Sequence, residues 1–507
     1  MTQKTYYVTT PIYYVNDRPH IGHAYTTLAA DVMARFKRLD GYDVHFLTGT
    51  DEHGQKIQRS AEAKGITPQQ FTDEVSAVFR ALATDFNFSN DDFIRTTEDR
   101  HKRACVEMWK RLEDAGHIYL DKYSGWYAVS DEAFYDESEL KDGPDGTRIA
   151  PTGKPVEWVE EESYFFRLSA FEQPLLDLYE SQPDFILPKG RRNEVISFVK
   201  GGLQDLSISR TTFDWGVPVP GNEKHVMYVW LDALTNYITA TGWPDDSPRW
   251  PADMHLVGKD ILRFHAIYWP AFLMGADLPL PRRVFAHGWW TNEGEKISKS
   301  LGNVIDPYDL KETYGLDQTR YFLLREVPFG NDGDFRRDAM VTRMNSDLAN
   351  NLGNLAQRSL SMIAKNLGGE VPAVHLTAED EALIASAGEA LLNGVRDHLD
   401  VQSFNKALET IWAVISEANV YIDAQAPWTL KKTDPERMAA VLYTVVETVR
   451  RVALILQPVM PESTGKMLDL LAQPSDQRQF TALEQRLTAG TILPQPTGVF
   501  PRFVEAE

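Results

Sequence analysis

Hydrophobic positions change their period several times along the chain. A β-rich run, TYYVTT, gives way to turn chemistry in PIYYVNDRP, and then Ile21, Tyr25, Leu28, Val32, Phe36 and Leu39 recur at helical spacing up to Gly41. A second β-rich run, YDVHFLTGT, follows at once. Strand, helix and strand in that order predict a βαβ unit, which builds a parallel sheet with ligand sites at the carboxyl ends of its strands. Both HIGH (residues 20–23) and TDEHG (residues 50–54) fall at that edge.

From about residue 119 to 228 the pattern breaks into short β-like pieces between Gly, Pro and acidic turns, which predicts an inserted domain. Alternation of strand and helix resumes with VMYVWLDALTNYI, MHLVGKDILRFHAIYWPAFLMGA and RRVFAHGWW, so the sheet is completed after the insertion. Beyond about residue 340 strands disappear. Phe404, Leu408, Ile411, Ile415, Ala418 and Ile422 repeat at threes and fours there, the pattern of a helical bundle, and TGVFPRFVEAE reads as an extended tail packed on another domain.

Composition narrows the picture. A chain of 507 residues is too long for one hydrophobic core. It has no apolar run of membrane-spanning length, and MTQKTYYVTT has neither a signal-peptide core nor a transit pattern, so a cytoplasmic protein is expected. The single cysteine, Cys105, excludes an internal disulfide and a thiolate zinc cluster. Lys and Arg total 52 against 73 Asp and Glu, a formal charge of -21, which argues against non-specific nucleic-acid binding. Local basic stretches such as LPKGRRNEVISFVKGG and GDFRR remain.

Two segments carry candidate chemistry. His20 and His23 stand at a helix start, where unpaired N–H groups and the macrodipole favour anions, and Gly22 between them lets a flat ring approach the backbone. Alone, the pair reads as two capping histidines. The second segment is GEKISKSLGN (residues 294–303), where Lys296 and Lys299 sit in a loop with two serines and two glycines. Such a loop can swing ammonium groups onto a phosphate chain and neutralise a leaving pyrophosphate.

HIGH paired with KISKS in a parallel α/β context resembles the class I aminoacyl-tRNA synthetases, with Ile297 where their second signature usually has Met. TTPIYYVNDRPHIGH, TGTDEHG, VWLDALTNY, VGKDILRFHAIYWPA, NLGNLAQR and DAQAPW are similar, in order, to stretches of the methionyl-tRNA synthetases. The resemblance implies an α/β fold with a Rossmann-like catalytic domain in two halves (1–118 and 229–290), an α+β connective insertion (119–228), a KISKS and stem-contact region (291–345) and an all-α anticodon-binding domain with its tail (346–507).

It also implies ATP as substrate with Mg²⁺, methionine, and tRNA(Met) as the partner. His20, His23, Lys296 and Lys299 would act on the phosphates, with Lys259 and Asp260 nearby and the adenosine around Gly22, His287 and Gly288. Ile12, Tyr14, Trp230, Ala233, Leu234, Tyr237, Ile261, His265 and Trp269 would line the methionine side chain, and Asp51 would hold its ammonium. A polarizable thioether suits aromatic walls, and a buried ammonium needs a carboxylate. Asn354, Arg358 and Trp428 match the positions that read the CAU anticodon.

The pattern departs from many members in one respect. Ala128 and Asp131 stand where a zinc-knuckle CxxC pair would sit, and the insertion has no cysteine, so no zinc is expected. Its cohesion falls instead to Trp126, Tyr127, Phe134, Tyr135, Trp158, Tyr164, Phe165 and Phe166. The chain stops soon after the bundle, and a monomer is expected. The alternatives are a class I synthetase for leucine, isoleucine, valine or cysteine, or a small-molecule nucleotidyltransferase with an HxGH helix start. The insertion is short for the editing domain of the aliphatic enzymes, one cysteine cannot supply the thiols of the cysteine enzyme, and a nucleotidyltransferase has no use for the bundle.

Overall fold

TYYVTTPIYY forms a strand buried over nearly its whole length because it occupies the middle of a six-stranded sheet. The computed structural model describes residues 4–15, 18–131, 133–143, 146–297 and 303–505. Lys299 and the side chain of Lys296 lie outside the described residues. The strands of the main sheet and the two longest of the insertion are, in chain order, β1 (Thr5–Tyr14), β2 (Asp43–Asp51), β3 (Asp92–Arg95), the insertion's β4 (Ile118–Ala128) and β5 (Pro155–Phe166), then β6 (Ile186–Leu187), β7 (Met254–Gly258) and β8 (Val284–His287). The main sheet runs β3-β2-β1-β7-β8-β6, parallel at β2/β3, β1/β7 and β8/β6. Strand order reverses between β1 and β7, and in open parallel sheets ligands bind beyond the carboxyl ends at that reversal. Ile12 and Tyr14 end β1, while Lys259, Asp260 and Ile261 follow β7 directly.

The described residues fall into two compact units, one from Met1–Lys4, His20–Val44 and His287–Glu507, the other from Thr5–Pro19 and His45–Ala286. The second unit holds the sheet. Its largest core gathers Trp109, Phe166, Leu175, Ile208, Leu231, Trp269 and Phe272. Full burial of a phenylalanine such as Phe166 contributes about 1.5–3 kcal/mol.

Within the stretch read as an insertion, β4 and β5 form a long antiparallel pair, from Ile118 opposite Phe166 to Tyr127 opposite Glu157. Residues 172–200 behave differently: they form two helices (Glu172–Ser181 and Lys189–Lys200), and β6 between them pairs with β8 at the edge of the main sheet. A two-residue strand is too short to show a period, so the sequence gives no sign of it. Tyr127, Phe165 and Phe166 are buried as expected, whereas Trp158 is 51% exposed and meets Trp126 only edge to face.

In the first unit the helix α1 (Ile21–Leu39) places Asp31 on its buried face. Asp31 pairs with Arg320 of the helix Leu316–Arg325 at 2.6 Å, and the same guanidinium donates to Val459 O and Pro458 O at 2.8 and 2.9 Å. A buried charge with this many partners is tolerable; without them it would cost several kcal/mol, roughly 3–5. The strands β9 (Trp290–Asn292), β10 (Glu295–Lys296) and β11 (Gly333–Phe335) form a small sheet, and helices dominate from Arg337 onward. The tail packs within its own unit: Asn345 accepts from Phe503 N–H at 2.8 Å and donates to Phe503 O at 3.2 Å. Among the described residues no helix is long and apolar enough to cross a membrane.

Candidate functional site

The two histidines of HIGH cap the helix they precede. His20 has an extended backbone and its Nδ1 accepts from Gly22 N–H at 3.1 Å, while His23 Nδ1 accepts from His20 N–H at 3.0 Å. This is the reciprocal arrangement usually built from Ser or Thr and Glu, made here from two imidazoles. The N–H groups of His20 and Gly22, expected to be offered to an anion, are thus taken by the rings. A ring accepting at Nδ1 carries its proton on Nε2, so each neutral imidazole becomes an Nε2–H donor. Burial, and then the neighbouring His20, push the His23 pKa well below its ordinary value. A Cβ at Gly22 would lie 2.9 Å from His20 Cε1, so a side chain there would displace the His20 ring from its cap.

His287 is drawn to the same helix. Its Nδ1–H donates to Gly288 O at 2.8 Å, Thr26 Oγ1 lies 2.6 Å from its Nε2, and Tyr25 packs edge-on against the ring. Gly288 touches Asn331, where a Cβ would fall 2.1 Å from the carbonyl oxygen. Thus His20, Gly22, His23, His287 and Gly288 share the first unit, together with both ends of the KISKS loop. Beyond that loop, Ile305 O accepts from Ile21 N–H at 3.3 Å and Asn303 O accepts from Asn292 Nδ2 at 3.0 Å. Lys259 and Asp260 belong to the second unit.

The residues assigned to the methionine side chain lie in the second unit. Trp230, Ala233 and Leu234 ride on one short helix (Val229–Leu234), Tyr237 on the next, and His265 on a single wide π-turn (Phe264–Tyr268) that leads into Trp269. His265 Nδ1–H donates to Ile261 O at 2.9 Å, so its Nε2 accepts the Tyr237 hydroxyl proton at 2.6 Å. Tyr7 O–H in turn donates to Tyr237 O at 2.7 Å. Trp230 stacks on Phe264 with centroids 3.8 Å apart, and Trp269 stands 6.0 Å from Tyr237. Ile12, Trp230 and Ile261 are only partly buried against this core. Tyr14 packs instead on a second apolar cluster with Phe71 and Phe93.

Burial pushes His265 down to about 4, so the cluster is uncharged near neutrality. Between about pH 6.5 and 4 the unfolded chain binds a proton at this site that the folded chain refuses, so stability is complete above that window and falls by about 3 kcal/mol as pH falls through it. Denaturation midpoints measured across this range should decline more steeply for the native chain than for His265→Gln. Equal slopes would contradict the assignment.

Asp51 ends β2 and is buried; its carbonyl accepts from Val15 N–H at 3.2 Å, which ties the ends of β2 and β1 together. Four further groups escaped the sequence. Glu52 is fully buried and takes Arg95 Nε and Nη2 at 2.7 and 3.0 Å. Asp232, between the assigned Trp230 and Ala233, accepts from His53 Nδ1–H at 2.6 Å and His101 Nε2–H at 2.7 Å. Burial alone would raise the pKa of Asp232, but the two imidazoles, His53 foremost, hold its carboxyl well below the usual range. His255 takes Trp269 Nε1–H at Nε2 (3.3 Å), donates to Thr9 through Nδ1 (2.7 Å) and lies 4.2 Å from the Tyr237 ring, supporting two of the assigned residues at once. Arg210 is buried among Phe134, Tyr228 and Tyr127, with Nε and Nη2 lacking partners among the described residues. Its Nη1 donates to Ser209 O at 2.7 Å and to Ser207 Oγ at 2.9 Å, and nothing in LSISRTTF marks this arginine for burial.

His101, Cys105 and Asp232 form a group whose ligand atoms all lie within 4.8 Å of one another. They read as hydrogen-bonded, not ligating. The 2.7 Å contact between His101 and Asp232 is shorter than the separation of roughly 3.3 Å that two zinc ligands at tetrahedral distances would keep.

In the bundle Asn354 and Arg358 lie one turn apart on the helix Asn354–Asn366, and so on one face. The Arg358 guanidinium sits 5.7 Å from the ring of Trp428, which is 44% exposed, and Arg358 Nη2 pairs with Asp423 at 2.8 Å. Trp428 follows Pro427, which opens a short helix after the left-handed turn at Ala426. The structure therefore brings the three assigned residues to one neighbourhood, with the Trp428 side chain partly exposed.

Comparison with known proteins bears on the whole chain. A family described as tRNA synthetases class I (M) matches residues 6–360, and an anticodon binding domain of methionyl tRNA ligase matches residues 371–507. A methionine-tRNA ligase from Mesorhizobium japonicum is 60% identical over 511 residues, covering 100% of this chain and 99% of its own. One from Rhizobium meliloti is 59% identical over 510 residues, covering 99% of each. Mycobacterium tuberculosis methionyl-tRNA synthetase in complex with methionyl-adenylate superposes with a TM-score of 0.96 at 58% identity, over 99% of this chain and 100% of that one. Its apo form gives 0.90 at 54% identity, over 99% of each. These matches leave no place for the leucine, isoleucine, valine, cysteine or nucleotidyltransferase alternatives. With family matches running nearly end to end and relatives more than half identical over their full length, the chain belongs to the methionyl-tRNA ligases of the class I tRNA synthetases.

Proposed function

We propose that this chain joins methionine to tRNA(Met) in two steps on the residues assigned above. The observation that carries the reading is the chain from Tyr237 to His265 to Ile261: a buried, uncharged, aromatic-walled cluster in the same unit as the buried carboxylate of Asp51. It suits a ligand with an apolar, polarizable side chain and an ammonium group. Tyr237, Trp230, Trp269 and His265 hold the thioether, and Asp51 holds the ammonium.

In the first step the methionine carboxylate oxygen bonds to the α-phosphorus of ATP while the bond to the β-phosphate oxygen breaks, releasing pyrophosphate. His20 and His23 donate Nε2–H bonds to the phosphates. Lys296 and Lys299 neutralise the charge on the leaving group, and Mg²⁺ entering with ATP would add positive charge to the same phosphates. In the second step a ribose hydroxyl of the terminal adenosine attacks the acyl carbon and AMP leaves. No side chain is assigned as general base, because positioning and charge stabilisation suffice. The chain works as a cytoplasmic monomer without zinc.

Anticodon reading falls to Asn354, Arg358 and Trp428. A stacked base is worth about 1–3 kcal/mol, so Trp428→Ala is expected to lower kcat/KM for charging a CAU transcript by roughly 5- to 150-fold. Pyrophosphate exchange without tRNA should not change. If both activities fell equally, the bundle would not be the anticodon reader.

A further inference from the structure

The segment following β2 is tied down residue by residue. Asp51 O accepts from Val15 N–H, and Glu52 N–H donates to Thr96 Oγ1 at 2.9 Å. Trp215 Nε1–H donates to Glu52 O at 2.6 Å, and Gly54 N–H donates to Trp215 O at 3.0 Å. These ties run to the residues just past the ends of β1 and β3 or to the loop of Trp215. His53 is the exception. Its Nδ1–H reaches Asp232 Oδ2, on the short helix that carries Trp230, Ala233 and Leu234.

Asp232 is fully buried and its second oxygen is bound by His101, which comes from the helix Asp99–Asp114. Cys105, one turn along that helix, lies 3.2 Å from the same His101 nitrogen. Asp232 is thus fixed from one side by a helix of the core and from the other by His53. His53 itself is nearly buried, with the ring of Trp215 edge-on at 5.5 Å. A buried carboxylate held by two N–H donors is rigid, since letting go of either donor leaves a charge without compensation.

We infer that His53 is a positioning residue for the methionine site: through Asp232 it fixes the distance between the carboxylate of Asp51 and the aromatic cluster, so that ammonium and thioether are gripped together. The inference rests on the reading that Asp51 binds the ammonium. Its consequence is specific. Loosening His53 should harm a ligand that uses both grips and spare one that uses only the cluster. A role in general stability would not discriminate between the two.

The test compares methionine with its deaminated analogue, 4-(methylthio)butanoate, each as a competitor or substrate in pyrophosphate exchange by the full chain. His53→Ala is expected to weaken methionine at least tenfold and the analogue less than twofold. His53→Asn, whose amide N–H stands close to the place of Nδ1–H, should recover most of the loss. If His53→Ala does not fold, His53→Gln serves in its place, because its longer amide cannot reach Asp232 without shifting the segment. Equal weakening of both ligands, or none of either, would overturn the inference. Asp51→Asn run alongside separates the two readings: selective loss of methionine there, without it in the His53 variants, refutes the positioning role alone, whereas no selective loss at Asp51 refutes the ammonium assignment.

Discussion

Asp51→Asn is expected to reduce kcat/KM for methionine by roughly 10²- to 10³-fold in pyrophosphate exchange, with an unchanged melting temperature. Asp51 is 7% exposed at the end of a central strand. An ammonium brought there has lost most of its water and depends on a full negative charge for compensation. Removing one partner of a buried ion pair typically costs about 3–5 kcal/mol, because the other is left stranded. The asparagine keeps shape and neighbouring backbone bonds, so the loss should appear mainly as a raised KM. A change below threefold would show that Asp51 does not meet the ammonium.

Lys299→Ala is expected to lower kcat for adenylate formation by roughly 10²- to 10³-fold while leaving methionine binding nearly intact. Lys296 ends the small strand paired with Trp290–Asn292, and beyond the loop Asn303 and Ile305 are bonded to Asn292 and to Ile21, the residue next to His20. The residues that follow Lys299 in the chain are thus bonded to the first turn of the helix capped by the two histidines. A lysine that acts only while charge builds on the leaving pyrophosphate contributes to the transition state and little to the bound substrate. Unchanged single-turnover rates would refute its role.

Much of this was legible in the chain. The helix from Ile21 to Leu39 announces itself through its apolar spacing and its stop at Gly41, and the bundle helix Phe404–Gln425 does the same. Both signals are local, and local patterns survive in a sequence. What escaped depends on partners far apart. Asp232 lies 179 residues from His53 and 131 from His101, a separation at which nothing in the spacing marks a hydrogen bond. The pairing of β6 with the main sheet rests on two residues. The imidazole cap was half legible: HIGH reads as two histidines at a helix start, but spacing alone does not mark that each ring commits its Nδ1 to a backbone N–H and leaves Nε2 as the donor.

The central claim is that one cluster selects methionine and one pair of motifs activates it. Exchange of labelled pyrophosphate into ATP by the purified chain, without tRNA, tests both parts together. The account predicts exchange that requires methionine and is not supported by leucine, isoleucine, valine or cysteine. Exchange with leucine in place of methionine, or none with any amino acid, would contradict it.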